Sequence, residues 1–396
     1  MFMNFRRIHK CQCIQLLTTG LVLCMVMVCW EELDHHVVSH MRSYTYRYLV
    51  NSYDFVNSSF SINSNHHNRD DGLNGGFANY PYLINHRGKC RGGAEDGENW
   101  DEVLLLLFIK SSPENFERRQ AIRDTWGNES YVWHELGASV RVVFALGVHQ
   151  DVGERFRVQK ALLEEDRTYE DLIQQDFLDT FHNLTTKLIL QFHWGHHYCP
   201  KAHFLMTADD DIFVHMPNLV KYLQQLLSSQ SGAKDLWVGH VHKGAPPIRR
   251  KDSKYHVPYE LYPWPAYPDY TAGAGYVVSG DVAAKIYHAT VALNSSMYID
   301  DVFMGICAKA MGVSPQEHVY FSGEGKAPYH QCIYEHMITS HGHAIDIRSL
   351  WQEATNPTVY NHSRGFIGNL YCTAVRVMLL CLPYYQNTYP CIAAFT

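Results

Sequence analysis

Unbroken apolar runs alternate along this chain with stretches of helical period. Residues 103–109 (VLLLLFI) are seven apolar positions in a row, bounded by Asp101-Glu102 and by Lys110-Ser111-Ser112-Pro113. A run that short and that uniformly apolar predicts a strand buried on both faces, hence a parallel central sheet. Ser112, followed by Pro113 and Glu114, predicts the cap and first turn of the next helix. A second buried strand is expected over 140–146, and helices over 151–165 and 183–198. The apolar residues 204–206 then read as the end of a third strand. Strand, helix, strand, helix, strand is one half of a Rossmann-like α/β sheet, whose ligands bind at the carboxyl ends of the strands.

The N-terminal pattern is different. Arg6, Arg7 and Lys10 precede an uncharged 17-residue stretch, 14–30, and Glu31, Glu32 and Asp34 follow it. That length is at the short end of a membrane span, and the charge order puts the N-terminus in the cytoplasm. Val28-Cys29-Trp30-Glu31 has no small-x-small cleavage site, so an uncleaved signal anchor is expected. The resulting organisation is a cytoplasmic tail over 1–13, a transmembrane anchor over 14–30, a lumenal stem over 31–99 and a lumenal catalytic domain over 100–396. The stem assignment rests on the scattered Asn, Ser, His, Tyr and Gly of that region. Residues 375–382 are apolar but interrupted by Arg376, which suits a core strand or helix better than a second span.

Composition changes the picture in three places. A formal net charge of −7 without a long basic run argues against a nucleic-acid partner. Seven of the 11 cysteines follow the anchor and none forms a C-x-x-C pair, so disulfides with one thiol left over are expected rather than zinc. Asn57, Asn128, Asn183, Asn294 and Asn361 each begin an N-x-S/T triplet and are candidate glycosylation sites.

The densest chemistry is Asp209-Asp210-Asp211, set between 204–206 and Ile212-Phe213. Alternate residues of an extended segment point the same way, so Asp209 and Asp211 can face one ligand. Such oxygen ligands suit Mn²⁺ or Mg²⁺ shared with substrate phosphates. A solvated acidic turn is the other reading, and the apolar flanks argue against it because repelling buried charges need a cation. Asp300 and Asp301 read equally as helix-start carboxylates or as a reactive acid. Arg119 and Arg123 share a helix face at i, i+4, which fits either a ligand or ion pairs with Glu117 or Asp124. Trp264, Tyr267 and Tyr270 lie in a Pro-rich segment and can stack on sugar rings; Gly273 and Gly275 can let backbone approach a ligand or simply make a turn.

Four segments together resemble the animal β-1,3-glycosyltransferase family: 118–127 (RRQAIRDTWG), 204–214 (FLMTADDDIFV), 267–280 (YPDYTAGAGYVVSG) and 299–305 (IDDVFMG). Two departures stand out, Ala208 where many members have a polar residue and Asp300 where Glu is usual. The resemblance implies a GT-A fold and inverting transfer from a UDP-sugar with a divalent metal. It implies Asp211 as metal ligand, Asp209 and Asp210 around ribose or metal water, and Arg119 and Arg123 beside the nucleotide. Asp301 then falls at the general base, and Asp300, Trp264, Tyr267, Tyr270, Gly273 and Gly275 on the acceptor side. His341 falls where the family supplies a further metal ligand, with His343 competing for the place. Further similarity over 244–249, 322–326 and 339–343 implies UDP-GlcNAc as donor, the terminal galactose of a glycolipid, lactosylceramide, as acceptor, and the Golgi membrane as location.

Overall fold

The computed structural model describes residues 19–20, 80–91, 102–229, 233–293, 297–323, 325–356 and 366–381. The anchor at 14–30 and the candidate sites Asn57, Asn294 and Asn361 lie outside these, apart from Thr19 and Gly20. No helix among the described residues is long and apolar enough to cross a membrane.

The elements are β1 (Tyr82–Ile84), β2 (Val103–Lys110), α1 (Phe116–Arg123), α2 (Glu129–Leu136), β3 (Val140–Val148), α3 (Val152–Tyr169), β4 (Leu172–Leu178), α4 (Leu184–Tyr198), β5 (Ala202–Asp209), β6 (Phe213–Val214) and α5 (Met216–Ser228). They continue as β7 (Trp237–His242), β8 (Tyr270–Ser279), α6 (Gly280–Ala292), α7 (Asp300–Ala310), β9 (Gln316–Glu317), α8 (Gln331–Tyr334), β10 (Thr339–Ser340), α9 (Ile347–Ala354) and α10 (Phe366–Cys381).

Eight strands form one mixed sheet in the order β1-β4-β3-β2-β5-β8-β7-β9. The four strands β4-β3-β2-β5 are parallel, as the apolar runs predicted. β8 then runs antiparallel to β5, pairing Ala208 with Gly275. All eight residues of β2 are buried because the sheet is covered on both sides. Leu105, Leu107 and Ile109 join one core with Trp126 and Met206. Leu106 and Phe108 join the other, with Trp194 of α4 and residues of α6 and α7. Each fully buried side chain of this kind stabilises the fold by about 1.5–3 kcal/mol. Trp126 is completely buried, a core residue.

Two boundaries differ from expectation. Tyr82–Ile84 pairs with β4, and Cys90 is disulfide-bonded to Cys199, so the folded domain begins by Tyr80 and not at residue 100. Helix α1 starts at Phe116 with no side-chain cap, and Ser112 and Pro113 precede it. Asn115 stands at the cap position, but its amide is spent on Asp210 at 2.8 Å. Of the apolar 375–382 segment, the side chains beyond Val375 lie outside the described residues; in the turns of α10 before it, Cys372 is buried while Phe366, Ile367, Leu370 and Tyr371 are exposed. A second disulfide, Cys332–Cys372, ties α10 down, and Cys307 is a free, buried thiol. The Asn128 side-chain oxygen accepts from Tyr131 N and so caps α2, while the Asn183 side-chain amide donates to the Leu178 carbonyl; both remain half-exposed.

Candidate active site

The parallel strands deliver their carboxyl ends to one edge of the sheet, and β5 ends there at Asp209. The chain turns through Asp210 and Asp211 into β6, which pairs antiparallel with β10, Ser340 facing Phe213. That two-residue pairing puts the residue after β10, His341, beside Asp211, with Nε2 3.3 Å from Oδ1. Asp209, Asp211 and His341 each offer a ligand atom within 4.8 Å of one another. The imidazole hydrogen bond holds the Asp211 carboxyl below its usual value, so it is ionised and ready to ligate. Two carboxylates and one imidazole fit a divalent ion such as Mn²⁺, which accepts both oxygen and imidazole donors.

His343 is not a competitor. It is fully buried, with Nε2 2.7 Å from Ser340 Oγ and Nδ1 3.0 Å from Asp346 Oδ1. Both ring nitrogens are occupied, and its backbone N–H donates to the Asp211 carbonyl. His343 braces the loop that His341 presents.

Asp210 points the other way. Its carboxylate accepts from Ser111 Oγ at 2.7 Å, Asn115 Nδ2 at 2.8 Å and Arg118 Nη1 at 2.9 Å. It fixes the turn between the two metal-side aspartates and leaves little capacity for ribose. Arg119 and Arg123 are likewise not beside an open site. Arg119 is fully buried and forms a two-pronged pair with Glu165 at 2.8 and 2.7 Å. Arg123 binds Glu165 and, with two bonds of 2.8 Å, Asp171. The expected partners Glu117 and Asp124 are not the ones used. Breaking a buried pair leaves an uncompensated charge, so Arg119→Ala should cost ~3–5 kcal/mol of stability. A melting curve unchanged from wild type would show the pair to be dispensable.

Lys110, at the end of β2, is a residue that sequence reasoning missed. Its ammonium is buried and donates to Asp209 Oδ1 at 2.9 Å, Asp300 Oδ2 at 2.9 Å and the Gly273 carbonyl at 3.0 Å. It joins the metal-side carboxylate to the acids that open α7. The two flanking acids hold its proton on far above the ordinary lysine value, against the opposing effect of burial. A lysine at the carboxyl end of a buried strand was the available signal. Arg118, paired with Asp210, was missed as well.

Asp301 lies beside this hub. A Cβ added to Gly273 would stand 3.6 Å from both Asp301 Oδ2 and Lys110 Nζ. Gly273 therefore keeps open the space between them. Gly275 has another role, since a Cβ there would come within 2.7 Å of Ile212 Cδ1; it is a packing glycine and not a ligand cradle. Burial, then the charge of Asp300, raise the Asp301 carboxyl to about 7, although Lys110 opposes both. A carboxyl poised there can take a proton from a hydroxyl near neutral pH.

Of the aromatic candidates, Tyr267 is buried with its ring 4.8 Å from that of Tyr262. It is core, not a sugar platform. Trp264 and Tyr270 are half-exposed, and the Tyr270 ring lies 5.0 Å from His242. The loop that carries Trp264 is fastened by Arg249, which donates to the carbonyls of Val257, Tyr262 and Trp264.

A mixed α/β sheet with a metal-capable triad at its strand ends and Asp301 alongside suits a glycosyltransferase-type enzyme. The galactosyltransferase family model matches residues 117–319, and the chain belongs to that family. Lactosylceramide 1,3-N-acetyl-beta-D-glucosaminyltransferase A of Danio rerio is 61% identical over 396 residues, covering 100% of both chains. The lactosylceramide 1,3-N-acetyl-beta-D-glucosaminyltransferase of Mus musculus is 57% identical over 390 residues, 98% of each chain. The Homo sapiens protein of the same name is 55% identical, covering 100% of this chain and 99% of its own.

Proposed function

We propose that this chain transfers N-acetylglucosamine from UDP-GlcNAc, in β-1,3 linkage and with inversion, to the terminal galactose of lactosylceramide. Full-length identity above one half with three enzymes of that printed activity supports the donor and the acceptor. The observation that carries the chemistry is the link from Asp209, grouped with Asp211 and His341, through Lys110 to Asp300, with Asp301 beside it. Asp209, Asp211 and His341 would hold the divalent metal, Mn²⁺ in this reading, which when bound neutralises charge developing on the diphosphate leaving group. Asp301 takes the proton of the acceptor hydroxyl, and Lys110 keeps Asp209 and Asp300 in register. The further reading is a GT-A domain held in the Golgi lumen by a single type II anchor over residues 14–30.

Purified enzyme assayed with UDP-GlcNAc and UDP-galactose against lactosylceramide and a water-soluble lactoside tests this directly. The expected result is GlcNAc transfer at least 10²-fold faster than galactose transfer, abolished by EDTA and restored by Mn²⁺. Preference for UDP-galactose would establish a galactosyltransferase instead, the activity that the family's name carries.

A further inference from the structure

Helix α10 (Phe366–Cys381) is the least expected surface of the molecule. Phe366 is 83% exposed, Ile367 81%, Leu370 61% and Tyr371 58%. At 100° per residue these four fall on one arc of about 140°, with exposed Ala374 inside it. Cys372 falls about 170° from the middle of that arc. It is buried and bonded to Cys332 of α8. The disulfide therefore holds the helix by one side and turns its apolar side outward. From residue 366 to the C-terminus at 396, Arg376 is the single charged side chain.

We infer that the outward face of α10 rests on the lipid surface that carries the acceptor, an inference built on the glycolipid reading above. Burying large apolar side chains in the interface is favourable by ~25 cal/mol per Å² of apolar area, and the face needs no ionic partner. At ~200 Å² per large side chain, the exposed parts of the four amount to roughly 570 Å². That is well below the ~800 Å² per partner of a stable protein interface, whereas an interfacial helix acts by exactly this kind of shallow burial. The position also fits. Cys332, to which the helix is fastened, begins the segment that runs through β10 to His341. A lipid contact at α10 thus bears, through the Cys332–Cys372 link, on the segment that supplies the site's imidazole.

The test uses full-length protein in phosphatidylcholine vesicles containing lactosylceramide. Phe366→Ser/Ile367→Ser/Leu370→Ser should raise KM for lactosylceramide about tenfold, while kcat and KM for a water-soluble lactoside stay within about twofold of wild type. Equal loss on both acceptors, or no change on either, would overturn the inference. Phe366→Trp supplies a readout independent of transfer: its added fluorescence should be quenched in vesicles of brominated phosphatidylcholine. No quenching would overturn lipid contact even if every activity were normal, and quenching would stand even if the acceptor were not lactosylceramide. Conversion of a wild-type dimer to monomer by the triple substitution, seen by sedimentation, would assign the face to a second copy and also overturn it.

Discussion

Asp301→Asn should lower kcat by ~10²–10⁴, the usual contribution of a general base, while UDP-GlcNAc affinity stays within a few-fold of wild type. Asparagine keeps the shape of the side chain and its place at the start of α7 but cannot accept the proton. The metal-side groups Asp209, Asp211 and His341 are separate residues and remain bonded as before. The pH dependence carries the same signature. The Asp301 carboxyl is raised from 3.8 to about 7 by burial and by Asp300. Below that pH it is protonated and cannot serve as base, so wild-type kcat should climb as pH rises through about 7 and level off above it. A variant with near-normal kcat, or a wild-type profile flat from pH 5 to 8, would take Asp301 out of the reaction.

Those elements were legible in the sequence wherever one residue's neighbours decide its state. The apolar run at 103–109 read as a two-faced strand, and the period-2 geometry of an extended segment already separated Asp209 and Asp211 from Asp210. What it could not show was the third direction. Asp210 looked like a ligand because its partners Ser111, Asn115 and Arg118 stand 92 to 99 positions away in the chain. Arg119 and Arg123 looked like nucleotide contacts because Glu165 and Asp171 lie 42 to 48 positions on, in and just after a helix whose docking no periodicity predicts. β4 escaped notice because Gln174 and Gln175 break its apolar pattern. Gln174 is nonetheless fully buried, its amide satisfied by the Gly147 carbonyl and by Gln159. The choice between His341 and His343 needed the two-residue pairing of β6 with β10. One imidazole emerges beside Asp211, and the other is locked behind it.

Lys110→Met should cost both stability and turnover, and the two losses should separate with pH. Among the described residues the ammonium is the cation bonded to Asp209 and Asp300, and it also donates to the Gly273 carbonyl. Methionine matches the stem but leaves two carboxylates facing each other without a countercharge, with Asp301 close by. Removing one partner of a buried charge group typically costs ~3–5 kcal/mol, a drop in Tm on the order of 10 °C for a domain of this size. The sign with pH follows from proton binding. Without the cation, the folded state holds protons on these acids more tightly than the unfolded chain does, whose carboxyls titrate near about 4. Stability of the variant relative to wild type therefore falls as pH rises above that value and recovers as pH drops toward it. Thermal melts at pH 5 and pH 7.5 should show the smaller deficit at pH 5. Turnover should not recover there, because protonated Asp301 accepts nothing and misplaced Asp209 holds its ligand poorly; a fall in kcat of at least tenfold is expected at both values. A Lys110→Met protein with wild-type Tm and kcat would mean that the acids are balanced by some other group, and the bridge between the metal side and the base would lose its physical basis.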